Sequence, residues 1–148
     1  MLSYHPFRYA KGMREPTGAG IIDYEIDAAN RLVRVRLEGP VSPSQIEHFM
    51  MTIGDDPSYD VNFDGFVDLR EFSGDVELDD IKRIAQLVRS RPGGAGARRA
   101  IIVKDDLQFG LMRMLEGFTF VAPVIYHAFR SEEAAVKWLA EKRGPSER

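Results

Sequence analysis

Apolar and polar residues alternate from Ile22 to Asp27 and again from Val33 to Leu37, the period of strands with one buried face. Joined through Asp27-Ala28-Ala29-Asn30, they predict a hairpin that pairs Tyr24 with Val33 and Ile22 with Val35 on the core side. Asp23 then falls opposite Arg34 on a solvated outer face, where unlike charges suit the register. At Ser42 the period becomes helical. Ser42 caps, Pro43 fits the first turn, Gln45 completes a capping box, and Ile46, Phe49, Met50 and Ile53 share one face up to Gly54. Phe63 to Leu69 carries apolar residues on both sides, Phe63, Val67 and Leu69 one way and Phe66 the other, as a central strand does.

The alternation of strand and helix continues. Leu78, Ile81, Ile84, Ala85 and Val88 make a second helical stripe that stops before Pro92-Gly93-Gly94, and Ala100 to Val103 is a short apolar strand. Leu107, Leu111, Met114, Leu115 and Phe118 trace a third helix, Val124 to Phe129 a last strand, and Ser131 caps a final helix bearing Ala134, Ala135, Trp138 and Leu139. This order predicts an α/β domain over residues 20–140: a mixed, mainly parallel five-stranded sheet with an N-terminal β-hairpin and four helices. Residues 1–19 lack a period and read as an irregular arm, and 141–148 as a polar tail.

Composition narrows the classes. A chain of 148 residues with 44% hydrophobic content suits one domain, and a net charge of −3 gives no general attraction to nucleic acid or to an anionic membrane. There is no cysteine, so thiolate chemistry and disulfides are excluded. No run of eighteen apolar residues and no signal-like start is seen, and the expectation is a cytoplasmic protein.

Two stretches invite a chemical reading. Asp60, Asn62, Asp64, Gly65, Asp68 and Glu71 fill the D-x-[DN]-x-[DN]-G-x5-E pattern of a calcium loop. Pro57 and Ser73-Gly74 oppose it, because they stand where the two flanking helices should run, so the central strand is preferred and calcium binding is the alternative. The third helix is apolar over more of its circumference than one buried face needs. Phe109, Met112, Met114 and Phe118, with Arg113 beside them, therefore form a candidate interface for self-association as a homodimer or for a protein partner.

Three further segments carry a resemblance: FVDLREFSG after the central strand, RRAIIVKDDLQFGLMRMLEGF through the fourth strand and third helix, and YHAFRSEEAAVKWL at the end. In this order and spacing, covering most of residues 20–140, the chain resembles the STAS-like (SpoIIAA-like) superfamily, and in particular its small bacterial STAS/SEC14-domain-like proteins. The resemblance implies a cytosolic bacterial domain that works by binding protein partners, without cofactor or catalysis. The phosphorylatable serine of that superfamily's anti-sigma-factor antagonists would fall at Phe72-Ser73-Gly74-Asp75, where the acidic residue before the serine is absent. The SEC14-like side implies a carrier of a small hydrophobic ligand as a further alternative.

Catalytic chemistry finds no anchor. His5, His48 and His127 have no metal spacing, no nucleophile elbow occurs, and Pro92-Gly93-Gly94-Ala95-Gly96 lacks the Lys-Ser/Thr of a phosphate loop. The remaining polar group, Asp68, Arg70, Lys104, Asp105 and Arg130, is expected at the C-terminal strand ends, where open α/β sheets bind ligands.

Overall fold

Helices start in this chain where a side chain captures a free backbone N–H. Ser42 Oγ accepts from Gln45 N at 3.1 Å while Gln45 Oε1 accepts from Ser42 N at 2.9 Å, and Asp105 and Ser131 cap the last two helices in the same way. The computed structural model describes the backbone of residues 11–13 and the whole of residues 20–141. Its elements run β1 (Lys11–Met13), β2 (Ile21–Asp27), β3 (Leu32–Gly39), α1 (Pro43–Thr52) with a short 3-10 turn, β4 (Asp64–Phe72), α2 (Leu78–Arg89), β5 (Arg98–Ile102), α3 (Asp106–Phe118), β6 (Ile125–Phe129) and α4 (Glu132–Ala140).

The expected α/β sheet is present with its five strands and hairpin, and the short β1 extends it to six. The supposedly irregular arm thus contributes Lys11–Met13, antiparallel to β2; the rest of the arm and the tail beyond Glu141 lie outside the described residues. Strands stand in chain order from β1 to β6, with β3 through β6 parallel. Because the order never reverses, crossovers of a single hand put α1, α2 and α3 on one face. Phe49, Ile81, Ile84 and Leu115 from these helices join Val33, Val35, Leu69 and Ile101 in the larger core. The second core lies on the opposite face, where Ala135 and Leu139 of α4 cover Leu32, Phe66, Ala100 and Ile102.

The hairpin differs from expectation in two ways. Its loop is Ala28 to Arg31, with Arg31 at φ 53° taking the left-handed position, so Tyr24 pairs with Val35, Ile22 with Leu37 and Asp23 with Arg36. A slip of two residues keeps every side chain on its expected face. The outer face is not solvated, however: Asp23 is 1% and Arg34 2% exposed. Arg34 Nη1 lies 3.5 Å from Glu25 and 3.6 Å from Asp27, so the guanidinium is buried together with counter-charges. Among the described residues no helix is long and apolar enough to cross a membrane.

Candidate functional site

The segment Asp64 to Phe72 is a strand, so its side chains alternate between faces and cannot ring an ion. The acids of the loop pattern have separate tasks. Asp60 accepts from Asn62 N at 2.8 Å, Asn62 accepts from Gly94 N at 3.2 Å, and Asp64 accepts from Arg98 N at 2.9 Å. No three acid or imidazole side chains gather as a metal site among the described residues.

Gly65 answers to another need. A Cβ there would lie 2.7 Å from Cδ of Arg99, its partner across the β4–β5 pair, so only glycine lets the Arg99 stem cross the central strand. Arg99 then donates to the carbonyls of Phe63 and Val61, the latter at 3.1 Å.

Above this point lies a partly open cavity of about 200 Å³ between the sheet and helices α1 to α3. Its walls include Val35 and Val67 from the sheet, Phe49 from α1, Ile81 from α2 and Met112 and Leu115 from α3. Val67, on a central strand under the helix layer, keeps accessible surface because it faces this space. Among the described residues of the lining, only Tyr59, Arg91, Arg99 and Tyr126 have a side-chain nitrogen or oxygen. Tyr126 is densely surrounded yet retains accessible surface, as a side chain on an internal void does. Burial pushes its phenol pKa up, although the charges of Arg99 and Arg91 pull the other way, so it stays a protonated donor at neutral pH.

Of the residues singled out from the sequence, Met112 lines this cavity and the others fall elsewhere. Asp68 and Arg70 do meet, Arg70 Nη2 lying 2.8 Å from Asp68 and 2.8 Å from Glu132, which ties β4 to the first turn of α4. Lys104 Nζ donates to the Phe72 carbonyl at 3.2 Å, Asp105 caps α3, and Arg130 pairs with Asp106 and covers the Phe109 ring at 4.3 Å. With strands in unbroken order there is no reversal point to open a crevice at these ends. Of the candidate interface, Phe109, Met112 and Phe118 pack partly buried against the core, while Arg113 and Met114 face outward. The most exposed apolar side chains nearby are Phe120 and Val121 at 87% and 80%. Ser73 is exposed between β4 and α2, its N–H bonded to the Gly39 carbonyl.

Three further side chains hold the site's surroundings together. Buried Gln108 donates to the carbonyls of Leu69 and Phe72 and holds α3 to the end of β4. Glu116 accepts from Ala128 N at 2.7 Å, which occupies an N–H of edge strand β6. Arg99 carried the only advance signal of the cavity: a cation alternating into the apolar face of a buried strand, RRAII.

Comparison with known proteins locates the fold. No family model matches the chain, and no curated protein matches it. Among solved structures, an uncharacterized protein of the DUF3478 family with a SpoIIAA-like fold, from Shewanella loihica PV-4, is similar at TM-score 0.55 and 18% identity over 87% of this chain and 100% of that one. The chain has the SpoIIAA-like fold that the motif order implied.

Proposed function

We propose that this domain binds a small apolar molecule between its sheet and helices α1 to α3, and does so without catalysis. The cavity of about 200 Å³ supports this reading. Its apolar walls lack the contacts that packed core side chains make, and whatever part of them is shielded from water costs stability. A ligand that fills the space returns the lost contacts. The lining holds two tyrosines and two arginines among aliphatic and aromatic groups, a set suited to holding a molecule and lacking a nucleophile or a general base poised near neutrality.

Calorimetric titration with octan-1-ol tests the reading. Binding heat and a melting temperature raised by several degrees are expected. Val67→Phe, which puts a ring into the space, abolishes both. An absence of heat and of thermal shift in the parent protein, with octan-1-ol and with its carboxylate counterpart octanoate alike, would remove the ligand reading.

Protein contact is a second reading, and the exposed Phe120 and Val121 favour it. Here the α3–β6 connection, with Met114 beside it, meets a second copy of the chain. Light scattering would then give a dimer that Phe120→Asp returns to monomer; a monomer for the parent chain would end this reading.

A further inference from the structure

We propose that Arg91 and Arg99 form the anion-holding end of the cavity, and that its occupant is a small carboxylic acid whose apolar body lies between sheet and helices. This rests on the ligand-binding reading above and adds the chemical class.

The pattern of ion pairs in the chain carries the inference. Among the described residues, six arginines are wholly or partly buried: Arg34, Arg36, Arg70, Arg91, Arg98 and Arg99. Four of them hold a carboxylate: Arg34 has Glu25 and Asp27, Arg36 has Glu38, Arg70 has Asp68 and Glu132, and Arg98 has Glu141. The two without one are Arg91 and Arg99, and these two line the cavity. Arg99 gives N–H groups to the carbonyls of Phe63 and Val61, which satisfy donors but leave the positive charge uncompensated. The Arg91 guanidinium makes no hydrogen bond or ion pair among the described residues. Charges withdrawn from water are ordinarily paired. Two unpaired guanidiniums on one apolar space therefore call for an anion that arrives with the ligand.

The remaining polar groups match a carboxylate. A guanidinium fork fits its two oxygens side by side. Tyr59 and Tyr126 add hydroxyl donors, the latter beside Arg99. The volume sets the size of the body: about 200 Å³ exceeds the roughly 150 Å³ apolar cavity that admits a benzene ring, so a chain of about seven carbons suits the space beyond the carboxylate.

The experiment compares octanoate with octan-1-ol, two probes with the same chain length and different heads, by calorimetry at neutral pH. Octanoate is expected to bind about tenfold tighter or more. Arg91→Gln, at a guanidinium with no hydrogen bond or ion pair among the described residues, is expected to remove about tenfold of octanoate affinity and to lower octan-1-ol affinity by much less. Arg99→Gln should act in the same direction; if its lost carbonyl bonds prevent folding, Arg91→Gln and the ratio in the parent protein decide. Equal affinity for the two probes would overturn the carboxylate assignment while leaving the apolar cavity a binding site. A preference for octanoate untouched by either substitution would overturn it too, because the anion would sit elsewhere. Failure of both probes to bind would remove the ligand reading with it.

Discussion

Phe66 and Val67 are neighbours on the central strand, and they live in opposite surroundings. Phe66 points to the α4 side, 4% exposed, among Leu32, Ala100, Ile102 and Leu139. Val67 points to the side of the three helices and meets the cavity. Charge divides in the same way: on the α4 side Arg70 lies between Asp68 and Glu132, whereas on the cavity side Arg91 and Arg99 have no carboxylate. A face whose core is covered and whose arginines hold carboxylates has less need of a ligand. The other face is short of both volume and negative charge, and one amphipathic acid supplies both. This contrast makes one side of the sheet scaffold and the other a site.

Truncation on the two sides should separate most. Phe66→Ala is expected to cost about 4 kcal/mol in urea or thermal unfolding, because the deleted ring leaves a hole among the buried Leu32, Ala100, Ile102 and Leu139. Val67→Ala should cost about 1 kcal/mol or less, since two methyl groups are removed from a wall that already faces open space. Similar costs at the two positions would mean that both faces are equally packed, and the contrast would fail.

The face assignments were legible in the sequence and the void was not. Ser42 and Ser131 marked helix starts, and the switch between strand and helix periods placed the elements in their observed order. The hairpin register depended on Arg31 adopting a left-handed conformation, which is unusual for a side chain with a Cβ and so invisible to a pattern of turn-forming residues. Asp23 and Arg34 looked solvated because alternating charge normally is, yet both are buried. The surplus of apolar residues on α3 was visible, but Met112 lines the cavity while Met114 faces outward, and sequence spacing does not say whether opposed walls meet. A void is a mismatch in the fit between elements, and each element taken singly looks like ordinary core. Arg99 above Gly65 was the available clue, one strand apart in space and 34 positions apart in the chain.

On the filled face the next effect is electrostatic. Asp68→Asn should cost about 1–2 kcal/mol, the worth of a charge-assisted pair discounted for the partly exposed Arg70. Ligand binding should not change. Burial alone would push the Asp68 pKa up, but hydrogen bonds and charge from Arg70 outweigh it and hold the carboxyl below its usual 3.8. A folded pKa below the unfolded one means that the contribution is complete above about pH 4 and fades as pH falls through the folded value. Unfolding measured from pH 5 down to pH 2 should therefore lose stability, and Asp68→Asn should flatten part of that slope. An unchanged slope would show that the pair does not report on folding.

The smallest effect on stability is expected at Arg91, where it discriminates most. A guanidinium with no hydrogen bond or ion pair among the described residues has little to lose, so Arg91→Gln should leave the melting temperature of the ligand-free protein nearly unchanged, corresponding to less than about 0.5 kcal/mol. Slight stabilisation would also fit, because a positive charge beside Arg99 is removed from an apolar wall. A loss of more than 1 kcal/mol would mean that Arg91 is already neutralised by the protein, and the two faces would then differ only in packing. In saturating octanoate the ranking should invert: the parent protein gains thermal stability and the Arg91→Gln variant gains less. Asp68→Asn, on the α4 side of β4, should lose the same amount with octanoate present or absent.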